Sequence, residues 1–387
     1  MTAPATRILP WDDRPPAGEP APRRSPLITW LAAPFDAVRR PIWRLSAKTA
    51  FGRACIRHRG LRLTTLALGH MAVALTLTVL APVWLLLLGP LVLGVPHVAS
   101  DIRYLLVRPP LPLGRRGLVL LLGPLLLMTF LRVLSTLGAP FYAELEIALG
   151  SAAMLGGVAL APRGNPRQKG LAFAVVLALT AVALLSPWTS LVIIAHVHNF
   201  VAFGLWLWLF RVEVSRRALF LIAGSYLAVL ALPLSGALDG VLLDHASQGD
   251  VGHFGLIEMA DTLAPGLELD LALRLVATYA FAQSLHYAIW LRLIPQRFDP
   301  RVAPPTFERS LARVRGDFGA IGFGLLVVLT LAIPAAALAF DAGQVRNVYL
   351  LAALAHGWLE LGIIAALVAR RGHGVSPQPA MPLTERS

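Results

Sequence analysis

Residues 82–107 read PVWLLLLGPLVLGVPHVASDIRYLLV. From Pro82 to Ile102 the only ionisable side chains are His97 and Asp101. A helix that crosses a bilayer needs about 20 mostly apolar residues at 1.5 Å rise, and this stretch meets that length. The four-residue spacing puts the imidazole and the carboxylate on one helical face, one turn apart. Ionisable groups at such a depth are costly and usually face a bundle interior, a cavity or a cofactor.

Similar runs recur along the chain. Ten spans are expected, at approximately 61–80, 82–107, 117–138, 141–161, 170–187, 189–210, 218–238, 271–293, 318–340 and 346–369. The 387 residues are 57% hydrophobic and 14% charged, which excludes an ordinary soluble domain. Strand-type alternation is missing, which argues against an outer-membrane barrel. The expected fold is an all-α polytopic bundle over 61–369 with the lipid bilayer as its surroundings. It follows a disordered Pro- and Arg-rich tail (1–25) and an interfacial amphipathic helix before residue 60, and precedes a short tail at 370–387. An ordinary juxtamembrane anchor is the favoured role for that amphipathic helix.

Charge sets the expected topology. The net charge of +13 sits in short connections at 108–116, 162–169, 211–217 and 294–317, as the positive-inside rule requires. Arg132, Arg274 and Arg346 alone fall outside the segments assigned to the cytoplasm. Loop 239–270 carries seven acidic residues and no Lys or Arg, so it belongs outside and both termini inside. This distribution argues against a nucleic-acid partner and for a bacterial inner membrane. The single cysteine, Cys55, excludes an intramolecular disulfide and a thiolate metal cage.

Under that topology the second, sixth, eighth and tenth spans run from the outer face inward. At 1.5 Å per residue His97 lies about 15 Å from the inner boundary, His198 about 18 Å, His196 about 21 Å, His286 about 11 Å and His356 about 20 Å. A common layer is therefore feasible. His356 and Glu360 repeat the His97–Asp101 spacing, and Gln283 lies one turn before His286. Asp101 and Glu360 are candidate catalytic groups that would orient the imidazoles or act as ligands themselves. His196 and His198 are two apart, so only one should face the site; His196 is slightly preferred, with Asn199 one turn below it. His70 is a reserve candidate. Imidazole and carboxylate donors suit iron, copper, zinc or manganese. Helix-packing polar pairs are the plain alternative.

Weaker candidates lie elsewhere. Arg132, near the outer end of its span, is expected to pair with Glu144 or Glu146. His245, His253, Glu258 and Asp261 in the outer loop are expected to be solvated.

The segment Gly94-Val95-Pro96-His97-Val98-Ala99-Ser100-Asp101 resembles the Gly-x-Pro-His-x-x-x-Asp signature of the Brp/Blh-type β-carotene 15,15′-dioxygenases. Phe281-Ala282-Gln283-Ser284-Leu285-His286 is similar to their late His-Ser-x-x-His region, and their middle histidine would correspond to His196, His198 or His253. The family's second late histidine falls on Trp290, so His356 is a substitute ligand. The resemblance implies a multi-pass protein that uses intramembrane histidines to hold non-haem iron and cleave a carotenoid. The leading expectation is thus a non-haem metal oxygenase, iron first, acting on a lipid-soluble substrate. Alternatives are a haem b electron-transfer protein, a proton-coupled transporter, and an assembly protein whose polar residues only pack helices.

Overall fold

The computed structural model describes residues 25–108, 115–159, 161, 166–248, 251, 254–298 and 306–369. The expectations of disorder before Ser25, of a tail at 370–387, and of a role for His253 fall outside these residues. Among them the chain is helical throughout, with one isolated bridge, Val251 to Phe254, and no strand.

The helices are α1 (Pro26–Lys48), α2 (Ala50–Arg57), α3 (Arg59–Leu80), α4 (Pro82–Val107), α5 (Arg115–Thr136), α6 (Ala143–Ala159), α7 (Pro166–Leu185), α8 (Pro187–Phe210), α9 (Arg216–Leu234), α10 (Asp239–Ser247), α11 (Leu256–Leu263), α12 (Leu269–Ala288), α13 (Phe307–Ala339) and α14 (Ala342–Val368). Their starts follow local chemistry. Proline opens α1, α4 and α8, where a missing N–H costs nothing. Thr49, Ser215, Thr306 and Asp341 cap α2, α9, α13 and α14 by accepting a backbone N–H three residues on.

Eight helices are long and apolar enough to cross a membrane: α3, α4, α5, α7, α8, α9, α13 and α14. The remaining two expected spans are also helical, as α6 and α12. Helix α6 has 17 residues. Helix α12 buries 13 of its 20 residues, so it is an interior helix with neighbours on nearly every side. Its Phe281 and Leu285 join the main core around Trp206, Phe210, Leu63 and Ile363. Its Leu273, Val276 and Ala280 join a smaller core with Leu86, Leu87 and Phe254.

Small residues bring α6 against α14. A Cβ on Gly157 would lie 2.5 Å from the Gly362 carbonyl oxygen, and one on Gly150 would lie 2.2 Å from the Trp358 ring. Such close approach is how helices associate where no hydrophobic drive separates protein from lipid.

Helix α4 is the irregular one, and prolines explain why. Pro90 has no N–H to give the Leu86 carbonyl, and that carbonyl instead accepts Arg346 Nε of α14 at 2.8 Å. The helix widens into π geometry at Gly89–Leu93 and again at Arg103–Val107. A third π segment, Ile289–Leu293, continues α12. There the Ile294 N–H bonds the Ile289 carbonyl and Pro295 has no N–H, so the Trp290 carbonyl accepts Ser100 Oγ at 2.6 Å. Both freed carbonyls are thus satisfied by a neighbouring helix, as apolar surroundings require.

Two segments differ from expectation. The acidic loop is largely folded: α10 and α11 bury Leu242, Leu256, Met259 and Leu263 against α12, because these residues recur at helical spacing. Arg274 on α12 donates to both Asp239 oxygens, at 2.9 and 2.5 Å, which holds the Asp239 carboxyl below its ordinary range. Helix α1 has a partner within the chain. It packs on α13, where Asp36 accepts the Phe307 and Glu308 backbone N–H groups at 2.9 and 3.1 Å.

Arg132 pairs with Glu146, Nε to Oε2 at 2.6 Å, with both side chains buried and the guanidinium 5.0 Å from the Phe141 ring. Removing one partner of a buried pair strands the other charge. Arg132→Leu should destabilise the protein by about 3–5 kcal/mol, while Arg132→Leu with Glu146→Leu should recover most of that loss in thermal unfolding in detergent.

Candidate metal centre

Three helices converge on one small volume. Helix α4 brings His97 and Asp101, α12 brings His286, and α14 brings His356 and Glu360. One ligand atom from each of the five lies within 4.8 Å of all the others. His97, Asp101, His286 and Glu360 are buried, with Asp101 0% and Glu360 1% exposed.

The convergence has local causes. A Cβ on Gly94 would lie 2.4 Å from the Tyr349 hydroxyl, so this glycine lets α14 approach α4. Tyr349 stands two turns before His356 on the same helix. Helix α14 is interrupted at Leu354, just before the histidine, and resumes at Ala355. The Arg346 and Ser100 bonds then fix α4 to α14 and α12.

The histidines are aimed by backbone carbonyls. A carbonyl only accepts, so the ring nitrogen facing it carries the proton and the other keeps its lone pair. His97 Nδ1–H donates to the Gly94 carbonyl at 3.2 Å, and His356 Nδ1–H donates to the Ala353 carbonyl. Both Nε2 atoms are left as lone-pair donors. His97 Nε2 lies 2.9 Å from His286 Nε2 and 3.4 Å from Asp101 Oδ2, while His286 Nε2 lies 3.4 Å from Glu360 Oε1.

These separations suit ligands of one ion. Two donors about 2.1 Å from a metal stand about 3.0 Å apart at a right angle, about 3.4 Å at a tetrahedral angle and about 4.2 Å in trans. The spacings of 2.9, 3.4 and 3.4 Å match the first two values, and the widest pair, within 4.8 Å, would have to contract to share one ion.

Electrostatics points the same way. All four carboxylate oxygens of Asp101 and Glu360 are buried without a hydrogen bond, as is His356 Nε2. The Trp290 indole N–H, beside Glu360, also lacks a partner of hydrogen-bonding geometry. Neither carboxylate has an Arg or Lys partner among the described residues. Burying one such charge without compensation costs several kcal/mol, and a cation between the two groups removes that cost. The five residues therefore form a cluster that could hold a metal ion.

The remaining candidates are sorted by position. His198 joins the ring cluster, its centroid 5.2 Å from that of His286 and 5.5 Å from that of His356, with Nδ1–H donating to the Ile194 carbonyl at 3.3 Å. The preferred His196 points elsewhere. Its Nε2 bonds the Leu263 carbonyl of α11 at 3.0 Å and its ring packs on Tyr279 at 5.2 Å. The two-residue offset separates them as expected, but α8 turns His198 inward because α11 and Tyr279 take the opposite face. Asn199 is buried beside them and donates Nδ2–H to the Ala195 carbonyl at 3.0 Å. His70 binds the Leu66 carbonyl of its own helix at 2.6 Å, and His245 binds the Val79 carbonyl at 2.9 Å. Gln283 donates to the Tyr279 hydroxyl at 3.2 Å. Neither His70, His245, Glu258 nor Asp261 belongs to the five.

Sequence reasoning passed over Tyr287, whose ring stands 4.8 Å from that of His97. Its place directly after His286 was the available signal. Trp290 is fully buried in the main core. His356 reaches the cluster, its ring 4.7 Å from that of His97.

Comparison with known protein families, with curated proteins and with solved structures returns no match.

The geometry separates the two neighbouring histidines of α8. His196→Ala should leave metal affinity within twofold of wild type, whereas His198→Ala should lower it about 10-fold or more, read by competition with a chelator.

Proposed function

We propose that this chain is a membrane-embedded metal enzyme that oxidises a lipid-soluble substrate. The ion is held by His97, His286 and His356 with Asp101 and Glu360, and non-haem iron is the first choice. The observation that carries the reading is the cluster itself: three imidazoles and two otherwise unpartnered carboxylates from three helices, within 4.8 Å of one another in an apolar bundle. Donors of this kind, without thiolate, suit iron, manganese, zinc or copper. The short resemblance to the Brp/Blh-type dioxygenases favours iron and a carotenoid substrate. The charge pattern favours an inner membrane with both termini cytoplasmic.

Each residue has a definable task. The Gly94 and Ala353 carbonyls hold His97 and His356 with Nε2 turned toward the site. Asp101 and Glu360 lower the net charge of a bound cation and orient or complete its ligand set. Trp290, Phe281, Leu285 and Trp358 belong to the core that closes off bulk water. Bound iron would supply the dioxygen and one-electron chemistry that side chains lack.

The spacing speaks against a haem held by two of these histidines. His97 Nε2 and His286 Nε2 are 2.9 Å apart. Two axial nitrogens on one iron stand about 4 Å apart with a porphyrin-wide slot between them.

The test is elemental metal analysis of detergent-purified wild type beside His97→Ala, with dioxygen uptake measured in the presence of solubilised carotenoid. Near-stoichiometric metal in the wild type, its loss in the variant and a rate at least 100-fold lower are expected. A folded wild type without metal would sink the reading and leave the buried carboxylates as a proton site. Metal without carotenoid-dependent uptake would remove the substrate and keep the centre.

A further inference from the structure

A second site lies on the other side of α4. A cavity of about 560 Å³ opens between α1, the inner half of α4, the end of α12 and α13. Its α4 lining includes Pro96, Ala99, Ser100 and Arg103, residues interleaved with the metal-centre pair His97 and Asp101. The helix thus presents one face to each site.

The lining is polarised. Six arginines border the cavity, Arg39, Arg62, Arg103, Arg108, Arg292 and Arg313, and no Asp or Glu does. Asp317 lies just behind and is engaged by Arg103 at 2.5 Å and by Arg108 at 2.9 and 3.0 Å. Arg62 donates to the Cys55 and Ile56 carbonyls at 3.2 and 3.1 Å. Arg292 differs from these. It makes no hydrogen bond or ion pair with a described residue, and its charged neighbours are Arg62 and Arg39. Like charges gathered around one half-buried guanidinium favour an anion beside it.

The rest of the wall is apolar. Phe318 lines it just before the kink where Gly319 takes φ 72°, and Phe323, Leu326, Val327 and Leu331 line it along α13 beyond that kink. Phe318 and the residues after it begin the strongly apolar part of α13, while Arg313 and the residues before it belong to its polar end. The cavity therefore runs from a basic mouth at the membrane boundary to an apolar trough inside. An anionic head followed by a hydrocarbon chain has that same order of chemistry.

We propose that this cavity binds one anionic phospholipid from the bilayer. Its phosphate sits among Arg292, Arg39 and Arg62, and an acyl chain lies along Phe318 to Leu331. Arginine is well suited to a phosphate, since its fork of donors meets two oxygens at once. Trp43, with the Arg39 guanidinium 5.6 Å from its ring, closes the mouth at the depth where aromatic side chains favour a membrane interface. Bound there, the lipid ties α1 and α13 to α4.

The full chain in a non-ionic detergent provides the test, with thermal unfolding and native mass spectrometry as readouts. Phosphatidylglycerol, phosphatidylcholine of the same chains and inorganic phosphate are titrated separately. Phosphatidylglycerol should raise Tm by several degrees and appear as one bound molecule; the other two should move Tm by less than a degree. Arg292→Gln should weaken phosphatidylglycerol binding about tenfold. Val327→Trp, which fills the trough, should weaken it by a similar factor with every arginine kept.

Equal shifts from both lipids, or full-affinity binding by both variants, would overturn the proposal. Stabilisation by inorganic phosphate alone, as large as that by the lipid, would overturn the lipid in favour of a free anion. Metal content read on the same samples should match wild type in both variants. The lipid site and the metal centre therefore fail or stand separately.

Discussion

The bond from Arg346 Nε to the Leu86 carbonyl joins the two helices that carry four of the five clustered ligands. It exists because Pro90 cannot offer an N–H to that carbonyl, and because a carbonyl left bare in apolar surroundings costs several kcal/mol. A defect in one helix thus becomes a specific attachment point for another. The Trp290 carbonyl works in the same way: the π turn and Pro295 free it, and Ser100 fills it. Together the two bonds set α4 against α14 and α12 in one register. That register brings Asp101 and Glu360 to a shared volume.

Much of this was legible in the chain. Hydropathy located the eight helices long and apolar enough to cross a membrane, and it also marked α6 and α12 as helical, since the bilayer allows few ways to satisfy a backbone. Of the two partners expected for Arg132, Glu144 and Glu146, the structure pairs it with Glu146, because a buried charge has few options and both stood within reach at the next helix start. Depth placed His97, His196, His198, His286 and His356 in one feasible layer, because rise per residue is nearly constant along a helix, and three of the five supply the cluster. Rotation is harder to read. Whether His196 or His198 faces inward depends on which neighbours α8 meets, and α11 was hidden in a segment read as solvated loop. The docking of Asp36 on the start of α13 was equally out of reach, because it joins residues 271 apart.

The two sides of α4 illustrate how one helix serves two environments. His97 and Asp101 lie on a face closed by α12 and α14, whereas Pro96, Ala99 and Arg103 face the cavity under α1 and α13. Arginines are concentrated on the cavity side and the two buried carboxyl groups on the other. The separation is physically sensible. Were a guanidinium to reach Asp101, it would neutralise the carboxylate and compete with any cation for it.

Stability alone gives no reason for the arrangement at the centre. Replacing a buried ionic group by well-packed apolar side chains is often neutral or stabilising by about 1–4 kcal/mol. Asp101 and Glu360 stand instead in a volume walled by Trp, Phe and Leu, with none of their oxygens hydrogen-bonded by the protein. Helix packing alone accounts poorly for them, because none of their four oxygens makes a hydrogen bond and the nearest imidazole nitrogens stand 3.4 Å away. The one feature they share is orientation toward three imidazoles, two of which are locked by backbone carbonyls with their lone pairs turned inward. A sequence that keeps two carboxylates and three imidazoles in such a place bears a cost that a bound cation would offset. On this ground the cluster is read as a ligand set and not as a set of helix contacts.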